Sequence, residues 1–490
     1  MPPPATCTSN QPAPQSWRLG TVHDILLCRA SVHHLPNNTA DLRSRYLAES
    51  PRRQEFRLGG EPLDSPHHRQ LGLRFCFLTT FYPPHNFGGD GIGIQRLARG
   101  LVRAGHQVTV VYDAEAYEAL APSAPPPPPV EPAGLEVVPL RSGLGKLSLL
   151  LTQQFGRPVV NGPRLAGLLN KGRFDVINYH NVSLIGGPGL FRYGHGVKIY
   201  MAHEHWLVCP THVLWRHQRE PCPGRECLRC QLSYRRPPQL WRATGLLERE
   251  SRHIDSFIAM SNFSRSKHKE FGFPRDMEVL PYFLPEDSLE GGQPNEGSPS
   301  DRPYFLFVGR LELIKGLQDV IPAFAGPGAT DLLIAGDGDY AAELKAQACD
   351  LPRVKFLGRL GGADLGRHYR HALALIVPSL CYETFGIILL EAFRQSTPVV
   401  ARRLGPLSEI VQMAGGGEVF STQDELAVAL DRIAQNQAHR DALGRSGRQA
   451  FETHWSENVV VPQYLDIVRR AAVRKGDTRI PNLLASRPYS

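Results

Sequence analysis

Two carboxylates eight positions apart, Glu383 and Glu391, stand in the string VPSLCYETFGIILLEAFRQSTPVVA that runs over residues 377–401. Ionised carboxylates accept hydrogen bonds and donate none, so a pair of them suits the hydroxyls of a sugar or a ribose. An arbitrary pair at this spacing is most often two solvated helix acids, but the flanks here argue otherwise. An apolar run over 372–377 ends in Pro378 and Ser379, a strand meeting a breaker, and the next residues read as a tight loop and then a helix. That turn puts Glu383 at the carboxyl end of a strand, where open α/β sheets hold their ligands. The backbone N–H groups of Phe385, Gly386 and Ile387 then lie at a helix N-terminus, a site for phosphate, with Glu391 about a turn further in.

A second cluster carries the opposite charge. The strand-like run 304–308 leads into Gly309-Arg310-Leu311-Glu312-Leu313-Ile314-Lys315-Gly316. Arg310 can fork onto phosphate oxygens and Lys315 supplies a compact point charge, so the two make a cationic mouth at a strand end. Near the start of the ordered sequence, Gly88-Gly89 follows the strand-like run 73–78 and precedes a helical pattern stopped at Gly105. Glycines in that loop let backbone approach a ligand closely. The G-x-G-x-x-G dinucleotide pattern and the Gly-Lys-Ser/Thr ending of a P-loop are both missing. Further along, Cys209, Cys222, Cys227 and Cys230 form C-x12-C-x4-C-x2-C. Four thiolates, or three with His205, His212 or His217 in place of one, suit a closed tetrahedral zinc that holds a loop and leaves no position for substrate. Reduced core thiols and redox chemistry are the alternatives.

The elements that position these residues alternate strand and helix. Strands are expected over 73–78, 108–111, 175–181, 197–202, 257–262, 277–280, 304–308, 332–335, 354–360, 372–377 and 398–401, with polar residues gathering at their ends, His203 among them. Such alternation is the mark of parallel α/β sheets. The segment 123–132 is a proline-rich surface loop. The Gly-, Pro- and Ser-rich stretch 285–302 reads as a linker, and residues 1–70 as a disordered or loosely attached extension. The C-terminal run is helical, its last part crossing back onto the first domain, and ends in a basic tail.

The two clusters together resemble the signature of retaining glycosyltransferases of family 4, over roughly residues 73–455. The resemblance implies an α/β fold of the GT-B class: two Rossmann-like domains facing across a cleft, with a cysteine-rich insertion over 206–236 in the first. It implies domains at 71–284 and 303–455, then a helix and tail over 456–490. It implies a sugar transferred with retention from a nucleotide-diphosphate sugar to a glycan or lipid-linked acceptor. Arg310 and Lys315 would stabilise the diphosphate, Glu383 and His203 would bind the donor sugar, and Glu391 the ribose. Gly309, Phe385, Gly386 and Ile387 would complete the donor site, with Arg359 near the base. Gly88 and Gly89 would border acceptor and phosphates. Arg and Lys neutralise the diphosphate, so no divalent cation is required. The departures fall elsewhere: the acid after His203 is Glu204, where the family commonly has Asp, and the cysteine segment comes immediately after it. A sugar-nucleotide epimerase, a phosphorylase, or a zinc-organised binding protein with a vestigial site are the competing readings.

Composition agrees with a large globular chain. At 490 residues with 42% hydrophobic and 21% charged residues, two domains plus extensions are expected. No apolar run spans a bilayer and the first residues lack a signal-peptide core, which points to a cytoplasmic protein. The formal charge of +8 fits a polyanionic substrate or the anionic inner face of a membrane. No nucleic-acid-binding signature accompanies it. Nine cysteines, an odd count, favour free thiols or a metal over disulfides.

Overall fold

A computed structural model describes residues 72–121, 124–285 and 297–486. The expectations for residues 1–70, and most of the linker expectation, lie outside that range. Strands in the first half are β1 (Arg74–Thr79), β2 (Gln107–Asp113), β3 (Leu135–Leu140), β4 (Val176–Tyr179), β5 (Val197–Ala202), β6 (Trp215–Arg216), β7 (Glu220–Pro221), β8 (Ser256–Ala259) and β9 (Met277–Val279). The second half adds β10 (Tyr304–Val308), β11 (Asp331–Ala335), β12 (Val354–Gly358), β13 (Leu375–Val377), β14 (Val399–Arg402) and β15 (Gly417–Phe420).

These strands build two parallel sheets, ordered β3-β2-β1-β4-β5-β8-β9 and β12-β11-β10-β13-β14-β15. Both are doubly wound, and the strand order of each reverses at one point: between β1 and β4, and between β10 and β13. A crevice opens outside the strand ends at such a switch point. Buried parallel strands read as continuous apolar runs, which is why β1 (RFCFLT) and β10 (YFLFV) stand out in the sequence. β3, β15 and the β6–β7 hairpin were not expected. β3 alternates buried and exposed residues along an edge, and β6 and β7 are two residues each.

The helix Glu457–Lys475 returns to the first half, as expected, and fixes its register there. Arg103 donates from Nε to Glu457 Oε1 at 2.6 Å, and Leu284 N–H donates to Trp455 O at 3.2 Å. The basic tail is not a free cationic surface. Arg470 pairs with Glu278, Lys475 with Asp255 at 2.9 Å, and Arg479 with Asp175, all first-half carboxylates. Its charge holds the two halves together. No helix among the described residues is long and apolar enough to cross a membrane.

Candidate functional site

The carboxyl edges of the two sheets face each other, and the loops leaving β1, β4, β5, β10 and β13 line one cleft of about 660 Å³. Its second-half wall is built at the switch point between β10 and β13. Gly309, at φ +156, turns the chain out of β10 and brings Arg310 to the mouth, where Nη1 lies 2.6 Å from Glu312 Oε1. A one-turn helix, Leu313–Lys315, then carries Lys315 inward, its Nζ 2.7 Å from Glu383 Oε1. Ser379 Oγ donates to the same oxygen at 2.9 Å. Burial alone would discharge this pair. The attraction between the two charges outweighs it, so the pKa of Lys315 is raised and that of Glu383 is lowered.

Two helix N-termini meet between the sheets. Gly88 precedes the helix Gly89–Arg103 and Gly386 precedes the helix Ile387–Arg394, and neither has a side-chain cap. Both glycines line the cleft, and a β-carbon on Gly89 would lie 3.4 Å from Ile387 Cδ1. First-turn N–H groups from both helices therefore point at one region, those of Asp90 and Gly91 lying within reach of the Asp90 carboxylate. Gly386 adopts φ +119, and a side chain there would press on Leu407 at 2.9 Å, so the position needs glycine.

Three expected donor residues, Glu391, Phe385 and Arg359, are not among those lining the cleft. Glu391 accepts from Tyr369 Oη at 3.0 Å and faces Arg96 Nη2 at 3.7 Å, with its pKa raised by burial. Arg96 comes from the first helix, so this contact spans the halves. Phe385 is buried with its ring edge-on to Tyr282 at 5.7 Å, leaving only backbone for a ligand. Arg359 follows β12, the outermost strand, and is 83% exposed and 3.8 Å from Asp337.

His203 leaves β5 as expected and lines the cleft, yet both ring nitrogens are committed. Nε2 lies 2.8 Å from His180 Nδ1, and Nδ1 meets Tyr282 Oη. Burial pushes the His203 pKa down to about 3, so the ring is neutral. In this arrangement it offers no free nitrogen to a sugar, because the buried relay satisfies it first. Its carbonyl instead accepts from Thr384 Oγ1 at 2.9 Å, and Ser261 Oγ donates to Thr384 O at 2.8 Å. Those bonds seat the Glu383 loop on the first half.

The four cysteines line a separate cavity of about 20 Å³ beside the β6–β7 hairpin. Their sulfurs turn to other partners: Cys209 to Thr211 Oγ1 at 3.3 Å and Cys222 to Gly224 O at 3.0 Å. Among the described residues no three His, Cys, Asp or Glu side chains stand together as metal ligands. Sequence reasoning missed Arg96 and, as cleft residues, Asp90, His212 (read there only as a substitute metal ligand) and Arg236. The last three line the cleft. Only Asp90, directly after Gly88-Gly89, carried a signal that could have found it.

Comparison with known proteins bears on this geometry. Residues 87–287 match the family described as Glycosyltransferase Family 4, and residues 293–450 the family described as Glycosyl transferases group 1. An uncharacterized glycosyltransferase of Methanocaldococcus jannaschii is 25% identical over 82% of this chain and 100% of that protein. Glycogen synthase of Mycobacterium tuberculosis is 25% identical over 84% of this chain and 98% of that enzyme. Among solved structures, sucrose-phosphate synthase from Thermosynechococcus elongatus superposes with a TM-score of 0.62 at 19% identity, covering 82% of this chain and 100% of that one. Anabaena HepE in complex with UDP-glucose gives a TM-score of 0.55 at 18% identity over 82% and 99% of the two chains.

Proposed function

The chain belongs to the family 4 glycosyltransferases of GT-B fold, enzymes that act on nucleotide sugars, and from there we propose a retaining transfer of a sugar to the hydroxyl of a glycan or lipid-linked acceptor. One observation carries the donor half: two uncapped helix N-termini converge beside Arg310 and Lys315. A nucleoside diphosphate satisfies all four. Its charge draws Arg310 from Glu312 and shares Lys315 with Glu383, and as the leaving group departs these cations meet the charge that develops on it. Glu383, kept ionised by Lys315, accepts from the hydroxyls of the donor sugar. Glu391 reaches ribose by exchanging its 3.7 Å approach to Arg96 while Tyr369 keeps its other oxygen. His203 acts on the sugar through its neighbours, holding Tyr282 and the Thr384 loop in position. No step is assigned to a divalent cation.

A panel of nucleotide sugars tests this reading by thermal stabilisation and by slow hydrolysis. One donor at 100 times its Kd stabilises by about 2.7 kcal/mol, and Arg310→Ala removes the effect. A panel in which no nucleotide diphosphate or nucleotide sugar stabilises the wild type overturns it. Inverted anomeric configuration in the product overturns the retaining part.

A lipid-linked acceptor is supported by exposed apolar residues near the cleft mouth: Leu144, Leu147, Phe155, Val159 and Leu240, on and around the helix Lys146–Phe155. The same helix contributes Gln153 to the cleft lining. Flotation with anionic vesicles, lost in Leu147→Ser/Phe155→Ser, is the expected result; no association in the wild type removes the membrane from the proposal. A structural zinc at Cys209, Cys222, Cys227 and Cys230 has the support of the shared cavity, which is large enough for one small ion. Zinc would draw the four sulfurs inward from their present partners. Near-stoichiometric zinc by elemental analysis is expected, and its lack leaves four reduced thiols whose packing holds the segment.

A further inference from the structure

Across from the donor clamp stands a group of polar side chains to which the donor reading gives no work. Glu204 is the second residue after β5, next to His203, and His212 Nδ1 lies 2.6 Å from its Oε2. The other oxygen, Oε1, is buried and has no hydrogen-bond partner among the described residues. An unpaired carboxylate oxygen out of water is costly, and native chains keep such groups where something else completes them. Both residues line the cleft, so a ligand can.

His212 is held there under backbone strain. Its φ is +77, a conformation side-chain-bearing residues avoid. Two bonds close the turn: His212 N–H donates to Cys209 O at 3.1 Å, and His205 N–H donates to His212 O at 3.0 Å. The strained turn aims the imidazole at Glu204, and the cysteine segment is its frame.

Arg236 shares this wall. Its guanidinium makes no ion pair or hydrogen bond among the described residues and rests 5.7 Å over the Tyr234 ring. Burial lowers its pKa, while the guanidinium still carries its charge at any ordinary pH. Asp90 completes the group, its pKa raised by burial and by the nearby charge of Glu204. A free cation beside a poised carboxylate oxygen offers one ligand two complementary contacts, for an anion and for a hydroxyl.

We propose that Glu204 Oε1, positioned by His212, receives the nucleophilic hydroxyl of the acceptor, and that Arg236 binds an anionic group, phosphate or carboxylate, on the same acceptor. The inference rests on the donor reading of the opposite wall. In the transfer, the hydroxyl oxygen bonds to the anomeric carbon. The bond from that carbon to the diphosphate breaks, its electron pair staying on the diphosphate, which also takes the hydroxyl proton. Glu204 orients the hydroxyl and ends the step as it began.

The test titrates full-length protein with glucose 1-phosphate, glucuronic acid and neutral glucose, read by saturation-transfer NMR. One anionic probe saturates wild type and Arg310→Ala alike, and glucose binds at least about tenfold more weakly. Arg236→Gln and Glu204→Gln weaken the anionic probe by about tenfold or more while leaving the melting temperature and nucleotide affinity unmoved. His212→Asn does the same to a smaller degree, which a structural role alone would not produce. Preference for the phosphate or for the carboxylate names the acceptor's anion. Probe binding lost in Arg310→Ala but kept in Arg236→Gln puts the anion in the donor clamp and overturns the proposal, as do no binding and no preference over glucose. Failure of the donor reading shows separately, as nucleotides that do not stabilise the protein.

Discussion

The two walls of the cleft are made in different ways. The wall proposed to hold the donor, called the donor wall below, takes its side chains from two tight loops, 309–316 and 378–386, each leaving a central strand of one sheet at its switch point. Its two loops are distant in sequence, Lys315 and Glu383 lying 68 positions apart, yet their pairing stays within that half. The opposite wall takes Glu204, His212 and Arg236 from an irregular segment between β5 and β8, with His212 and Arg235 at positive φ. A loop held by a regular sheet fixes a reaction that is the same for every acceptor. An irregular segment, free of the sheet's register, can be remodelled around each acceptor.

That contrast breaks most readily on the donor side. Arg310→Ala or Lys315→Met lowers kcat/KM on the order of 10²–10³-fold, the cost of removing one group aimed at developing charge. Lys315→Met additionally leaves Glu383 beside an apolar chain and raises its pKa, so Glu383→Gln in that background restores stability without restoring turnover. A donor-wall variant whose only defect is in acceptor KM would merge the two walls into one site.

Acid separates them next. The buried histidines whose pKa is lowered most, His180, His203, His205 and His268, all belong to the first half. Burial lowers the pKa of His180 and His205 well below 6.5, that of His203 to about 3 and that of His268 to about 4. The unfolded chain therefore binds more protons than the folded one across this interval. The stability that these histidines contribute is complete above pH 6.5 and falls as the pH drops toward 4 and then 3. At pH 5 His203 and His268 each cost roughly 2 kcal/mol, from about 1.4 kcal/mol per pH unit. Hydrogen exchange at pH 5 is expected to deprotect β4, β5 and β8 before β10 and β13, and simultaneous loss would remove the distinction.

The donor wall was also the readable one. Glu383, Arg310 and Lys315 show in the sequence because parallel sheets put chemistry at strand ends and apolar runs mark the strands. What stayed hidden depends on partners distant in sequence. Glu391 meets Arg96 through domain apposition, and Arg103 meets Glu457 across 354 positions. His203 reads as a free ligand until His180 and Tyr282 are seen to take both nitrogens. The basic tail reads as solvated until Glu278, Asp255 and Asp175 are brought beneath it. His212 depends on a positive φ at a non-glycine residue, which no periodicity announces.

The smallest effect tests how the walls are held together. Glu409, from the helix Pro406–Ala414, accepts from the N–H groups of Asn262 and Phe263 at 3.1 and 2.9 Å, capping a first-half helix from the other half. Thr422 caps its own helix within the second half, accepting from Glu425 N–H at 3.2 Å. Both variants to alanine lose about 1 kcal/mol, the usual worth of a cap. Only one of the caps spans the cleft. Thr422→Ala shifts the urea midpoint and leaves turnover alone. Glu409→Ala shifts the midpoint by a similar amount and also raises donor KM, because the Asn262 helix follows Ser261, which bonds the Thr384 carbonyl beside Glu383. If both variants leave donor KM unchanged, the cleft is held by its other contacts, those of Thr384, Arg96 with Glu391 and the returning C-terminal helix among them, and Glu409 is a stabilising cap with no part in closure.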